Sequence, residues 1–433
     1  MKPRKMKDSG IPWIGLILEG WEARKIKTIF QVLGGATPAS GNVDYWDGDI
    51  PWVTPADMSD DKIYLKDSKR KITREGLESC AAELVPVESI IVSNRAPIGK
   101  VALAGVPLCT NQGCKSLRAS ESVCSKYFYY YLRTQTETLN MFGQGTTFLE
   151  LSSRSLNDFL VPYPAENEQS RIAAYLDEKC GEIDRVIAAK EQQNKLLRDQ
   201  RTAIISEAVT KGLNPNAKFK DSGFEWLGEI PVDWCHLPLR YAVVSITGGA
   251  TPQKENPLFW DGDIPWASSK DLKTNKIYKT EDSITKEGLE RCSVSLIDAG
   301  RLILCARSGI LRHTLPACVN MVPLTINQDL KALEFRKEIN IYYVQYYFLG
   351  LNREILTFSQ KEGATVESLN MELLMKLPIF FPRMPEQEKI VSYLDSRCAE
   401  IDQVIAANEK MVAKLKEYRS SLIWEAVTGK TSL

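Results

Sequence analysis

Trp46-Asp47-Gly48-Asp49-Ile50-Pro51-Trp52 returns unchanged as Trp260-Asp261-Gly262-Asp263-Ile264-Pro265-Trp266. Working outward from these two segments, ordered matches continue at offsets between 212 and 218 residues, so the second half of the chain restates the first. Asp8-Ser9-Gly10 with Trp13, Gly15 and Trp21 recurs as Asp221-Ser222-Gly223 with Trp226, Gly228 and Trp234. Gly34-Gly35-Ala36-Thr37-Pro38 recurs as Gly248-Gly249-Ala250-Thr251-Pro252, and Asn111-Gln112 with Lys115 recurs as Asn327-Gln328 with Lys331. Downstream, Glu168-Gln169, Tyr175-Leu176-Asp177, Ile183-Asp184 and Glu207-Ala208-Val209-Thr210 are each answered 218 residues later.

Each copy has two unlike parts. The first is rich in Gly, Pro and Trp with short β-type runs such as Ser89-Ile90-Ile91-Val92 and Leu302-Ile303-Leu304-Cys305, which predicts a mixed α/β domain. The second begins after a proline stop, Val161-Pro162-Tyr163-Pro164 or Leu377 to Pro382, and continues for about 45 residues with helical periodicity. Ile172, Leu176, Ile183, Ile187, Leu197 and Ile204 form one apolar stripe, and Ile390, Leu394, Ile401, Ile405, Leu415 and Leu422 form its counterpart. Polar steps at Lys190 and Asn194, and at Asn408 beside Val412, interrupt both, while Gly212 and Gly429 stand where C-caps are expected. A helix of about 43 residues rises about 65 Å, too far to bury its stripe against one small domain. The expectation is a pseudo-twofold antiparallel pair of long helices with a globular module at either end; the alternative is two separate modules, each with a local helical hairpin. The predicted boundaries are 1–165, 166–212, 213–383 and 384–433.

The 433 residues carry 55 basic and 55 acidic side chains, so any nucleic-acid site must be local. Residues 1–160 hold 20 basic and 18 acidic groups, and 213–382 hold 19 and 20, so neither module is basic as a whole. Ten cysteines without a CxxC pair, and only two histidines, His236 and His313, predict reduced thiols and no metal site. The opening MKPRKMKDSG leads into no apolar run, and no stretch of about 18 apolar residues occurs, which predicts a cytoplasmic protein without a membrane span.

Catalytic signatures are lacking. Asn256-Pro257-Leu258-Phe259 lacks the second proline of an adenine-methyltransferase box and reads as a turn. Gly429-Lys430-Thr431 has Trp424 where a P-loop requires glycine, and reads as a frayed C-terminus. No cofactor, catalytic residue or metal ligand is expected on this chain. Recognition chemistry is present instead, in repeated loop positions. Arg95 and Lys100 follow one short strand, and Arg307 and Arg312 follow its counterpart; each suits a guanine edge, a phosphate or a neighbouring carboxylate. Asn111-Gln112 and Asn327-Gln328 suit adenine edges or turn caps. Thr37, Lys115, Thr251 and Lys331 complete the candidate DNA-binding set, and Trp46, Trp52, Trp260 and Trp266 are read as core that holds the loops.

Taken together, these segments resemble the specificity subunit of Type I restriction-modification systems over essentially the whole chain. The telling pieces are the linker from Lys218 to Pro231, the Gly-Gly-Ala-Thr-Pro and Trp-Asp-Gly-Asp-Ile-Pro-Trp segments, and the Pro-x-x-x-Glu-Gln lead-in to each long helix. The resemblance implies two target recognition domains that read the halves of a split, asymmetric double-stranded DNA sequence, with the helices as a spacer coiled coil. It implies two modification subunits that use S-adenosylmethionine as partners, and restriction subunits that translocate DNA with ATP and magnesium. A protein-interaction scaffold and a methylation-only assembly are the alternatives. Divergence between Asn111-Gln112-Gly113-Cys114-Lys115 and Asn327-Gln328-Asp329-Leu330-Lys331 predicts non-identical half-sites. Gly15 to Gly20 lacks the counterpart of Pro231, so the first domain is expected to begin differently from the second.

Overall fold

The structure, a computed structural model, describes residues 5–59, 62–120, 123–143, 149–361 and 366–431. The chain forms two compact units, residues 1–190 with 409–433, and residues 191–408.

In the first unit, a five-stranded sheet runs in the order Phe30–Gly34, Cys114–Ala119, Ile90–Ser93, Val101–Ala104, Tyr64–Leu65. Its central strand, Ile90–Ser93, is buried throughout, which explains a run of consecutive β-branched residues where a half-exposed strand would alternate. A three-stranded sheet, Cys109–Thr110, Trp46–Val53, Lys71–Ile72, stands beside it. The second unit repeats both sheets in the same order. Its large sheet is Val243–Gly248, Leu330–Phe335, Leu302–Cys305, Ala317–Asn320, Lys276–Ile277, and its small one is Thr325–Ile326, Trp260–Ala267, Asp282–Ile284.

The long helices are Glu166–Lys211 and Met384–Val427. The Pro-x-x-x-Glu-Gln lead-in has a mechanical cause. Gln169, wholly buried, donates to Pro164 O at 2.9 Å and accepts from the Cys124 amide at 3.1 Å, while Trp21 Nε1 donates to Glu168 at 2.9 Å. Gln387 likewise donates to Pro382 O and accepts from the Asn340 amide, and Trp234 donates to Glu386. Backbone groups left over at a helix start thereby find partners away from water.

Each unit contains half of each helix, and within each unit the two halves run antiparallel. In the second unit Asn194 meets Asn408 while the later Arg201 pairs with the earlier Asp402 at 3.2 Å. In the first, the Tyr127 hydroxyl bonds Val427 O, at the end of one helix, at 2.8 Å and lies 3.5 Å from Pro162 O, just before the other begins; further along, Arg419 pairs with Asp184. Tyr343 does the same in the second unit with Val209 O and Phe380 O. The predicted stripe is the buried seam: Ile172, Leu176, Ile183, Ile187, Ile390, Leu394, Ile401, Ile405 and Leu422 are buried, and Leu197, Ile204 and Leu415 half-buried. Its polar interruption is a buried amide pair, with Asn408 Nδ2 donating to Asn194 Oδ1 at 2.8 Å. Gly212 and Gly429 take φ of +72° and +77°, the left-handed C-cap conformation.

Two expectations are corrected. The first domain begins as the second does: Met6↔Leu18 to Asp8↔Leu16 and Phe219↔Pro231 to Asp221↔Glu229 are hairpins in the same register. Asp8 and Asp221 each accept from the glycine amide two residues on, so the turn fixes the hairpin and the missing proline, on an edge strand, is immaterial. The segment at Gly429 is not frayed. Thr428 is fully buried, and a Cβ on Gly429 would come within 2.9 Å of Leu18 and 3.2 Å of Trp21. Asn256 caps the short helix Pro257–Phe259 by accepting from the Leu258 amide, the turn that was read there.

Candidate nucleic-acid interface

In each unit the repeated loops converge on one edge of the small sheet. Parallel pairing of Cys109 with Trp52 and Thr110 with Val53 delivers Asn111-Gln112 to the end of the Trp46–Val53 strand. The Gly-Gly-Ala-Thr-Pro loop crosses there so closely that a Cβ on Gly35 would lie 2.0 Å from Asn111 O; on Gly249 it would lie 1.8 Å from Ile326 O. Only glycine permits that crossing. The tryptophans hold it in place. Trp52 Nε1 donates to Ala36 O at 2.9 Å, Trp46 Nε1 to Ala39 O at 3.3 Å, and the rings meet edge-to-face at 5.1 Å; Trp266 and Trp260 do likewise with Ala250 O and Gln253 O. Asp47 and Asp261, both at φ near +60°, turn the strand at the register shift that follows Trp46 and Trp260.

The arginine loop joins the same edge, because the Asn94 amide donates to Gly113 O at 2.9 Å and the Ala306 amide to Asp329 O at 2.7 Å. Thr37 donates to Gln112 and Thr251 to Gln328, which fixes the two exposed glutamines. Asn111 and Asn327 use their Oδ1 atoms on the amides of Gly113 and Asp329, the turn-capping role. Lys115 and Lys331 lie opposite Gly34 and Gly248, half-buried. Lys100 is spent on the Met58 carbonyl at 2.8 Å.

The cations differ between units. Arg95 pairs with Glu150 at 3.0 Å. Its counterpart Arg307 bridges to Ser368 through the backbone, and among the described residues no carboxylate pairs with it. Glu367 is instead paired with Arg312, whose guanidinium holds that carboxyl below its ordinary range. Burial pushes the thiols of Cys109, Cys114 and Cys318 up to about 12, so they stay protonated. Among the described residues no group of three or more His, Cys, Asp or Glu could hold a metal ion, and no helix is long and apolar enough to cross a membrane.

Two residues at this edge escaped the reading of motifs. Arg70 lies with its guanidinium carbon 3.5 Å from the centre of the Trp46 ring, and its counterpart is Asp282, opposite Trp266. The signal was present, two places before the matched Ile72 and Ile284, but these positions differ between copies and so belonged to no repeated motif.

A duplicated α/β module with convergent polar loops, joined by paired helices, is the architecture of a two-site recognition protein. The profile of the Type I restriction modification DNA specificity domain matches residues 18–196 and 242–409, and the chain belongs to that family, as a DNA specificity subunit. The specificity subunit of the MjaIX enzyme of Methanocaldococcus jannaschii is 30% identical over 96% of this chain and 94% of that one. The specificity subunit of EcoR124I/EcoR124II from Escherichia coli is 30% identical over 62% of each chain. Among solved structures, a chain from work on complex assembly and conformational transition of the type I R-M system superposes with a TM-score of 0.73, at 17% identity, over 96% of this chain and 99% of that one. The HsdS subunit of Thermoanaerobacter tengcongensis superposes at 0.51, also at 17% identity, over 95% and 98%.

Proposed function

We propose that the chain reads an asymmetric, bipartite duplex DNA site, one half with each unit, and that it does so as the non-catalytic member of a cytoplasmic assembly. Two modification subunits would supply methyl transfer from S-adenosylmethionine, and restriction subunits, where present, would supply ATP- and magnesium-dependent translocation and cleavage. The functional division we propose is recognition by 1–165 and 213–383, and spacing by 166–212 and 384–433. What carries the reading is the convergence, in both units, of three loops separated by up to about 80 residues of sequence onto one edge, where Thr37, Gln112, Arg95 and Lys115 correspond to Thr251, Gln328, Arg307 and Lys331.

Phosphate contacts from the lysines would give affinity and register, and the exposed loop side chains would give sequence. Because Arg95 is neutralised by Glu150 and Arg307 is not, the two halves present different donors and the half-sites should differ. The test is methylation mapping of DNA from cells carrying the chain with its modification subunits. A motif of two unlike halves around a fixed unread gap is expected; a palindrome, or a contiguous motif, would refute the reading. The purified chain alone should bind duplex DNA with a steep salt dependence and transfer no methyl group.

A further inference from the structure

We propose that the position shared by Arg70 and Asp282 determines half-site sequence with opposite hydrogen-bonding sense. Arg70 would donate to a guanine edge in the half-site of the first unit, and Asp282 would accept from an exocyclic amino group of cytosine or adenine in that of the second. The proposal rests on the DNA-reading role argued above and names the groups that execute it.

Structural equivalence of the two residues does not depend on sequence alignment. In the first unit the Trp52 amide donates to Arg70 O at 3.2 Å. In the second, Trp266 is registered opposite Asp282, on the strand that continues to Ile284 as Arg70 continues to Ile72. The surroundings match as well. Thr54 and Ser268 both bond the aspartate three residues on, and Asp57 and Asp271 then hold the amides of Lys69 and Glu281, one place before the pair in question. The scaffold is therefore kept while one exposed side chain changes sign.

That change alters the space above the tryptophans. Arg70 covers Trp46, which is 7% exposed, and reaches to 5.8 Å from Trp52. In the second unit no cation covers the equivalent ring among the described residues, Trp260 is only half-buried, and a cleft of about 510 Å³ lies there, lined by Trp260, Trp266, Asp282, Gln328 and Asp329 among others. Thr251 is fixed on Gln328 beside it, so the cleft contains both the repeated loop groups and the divergent carboxylates Asp282 and Asp329.

The sign discriminates between roles. An arginine at a DNA surface serves a phosphate or a base equally well, but a carboxylate repels phosphate and has one favourable partner there, the amino group of a base. Asp282 has no ion pair among the described residues, and Lys254 and Lys270 on the same cleft would offset its repulsion of the backbone. Arg70, likewise without an ion pair among the described residues, would keep its N–H donors available while the indole face orients its plane.

The experiment is methylation of a randomised duplex library by the full chain assembled with its modification subunits, comparing wild type with Asp282→Asn, Asp282→Ala and Arg70→Gln, with thermal melting of each. Asp282→Asn and Asp282→Ala should relax or change the preferred base at one position in the second unit's half-site, by on the order of 10- to 100-fold, with the other half unchanged. Arg70→Gln should act in the same way on the first unit's half-site alone. Folded variants that retain the wild-type motif, or that lose binding equally for all sequences, would overturn the inference while leaving the DNA-reading role intact. Absence of any bipartite motif for the wild-type assembly would instead refute that role.

Discussion

The loop edges of the two units share a skeleton and differ in charge. In the first, both exposed arginines are engaged, Arg95 by Glu150 and Arg70 by the Trp46 ring. In the second, Arg307 has no carboxylate among the described residues and the place of Arg70 is taken by Asp282. What is kept is what holds the loops: the paired tryptophans, the glycine crossing, and the threonine–glutamine contact. What differs lies outside the hydrogen-bonded frame. The exposed groups on this edge can thus be exchanged at little cost to stability, because exposed side chains contribute little to it.

Four experiments sharpen or break this comparison. The largest effect should come from the frame. Gly35→Ala and Gly249→Ala force a Cβ into a carbonyl at 2.0 Å and 1.8 Å, and each should cost about 3 kcal/mol in thermal melting, the upper end of overpacking. Gly34→Ala, where the nearest atom is Lys115 Nζ at 3.7 Å, is the control and should be nearly neutral. If both glycines of the first pair tolerate alanine equally, the close crossing is wrong.

Next, Arg307→Ala should weaken binding to the second half-site by about 1 to 3 kcal/mol for a bidentate contact, and Arg95→Ala should weaken the first by less, because Glu150 already neutralises it. Equal losses measured by competition binding would erase the distinction. Asn408→Val removes the donor to the buried Asn194 Oδ1 and should cost about 1 to 3 kcal/mol; the double Asn194→Val, Asn408→Val variant should recover most of it in denaturant unfolding. Smallest are the partly exposed ion pairs. Asp184→Asn and Asp402→Asn, each opposite the counterpart arginine, should lose at most about 1 kcal/mol and by matching amounts, a direct check that the helix halves are equivalent.

Much of the fold was legible before any coordinates. The duplication, the mixed α/β modules and the two long helices follow from repeated motifs and helical periodicity, and the stripe from Ile172 to Leu422 is the buried seam. Trp46, Trp52 and Trp266 are the loop-holding core that their repetition suggests, while Trp260 holds its loop half-buried. Other features were illegible for definite reasons. The register of the opening hairpin is set by Asp8 and its turn, not by the proline whose absence suggested a difference. The packing around Gly429 depends on Leu18 and Trp21, some 400 residues away.

Sequence by itself determined the things that depend on local pattern: periodicity, caps, and the repetition of residues that build the frame. Tertiary structure alone decided which exposed groups share an edge and which are already paired, since pairing of Arg95 with Glu150, or the place of Arg70 over Trp46, spans chain distances over which no local periodicity operates. Positions that repeat include those that packing constrains, and positions that differ, such as Arg70 and Asp282, acquire meaning only when the folded backbone places them in equivalent registers.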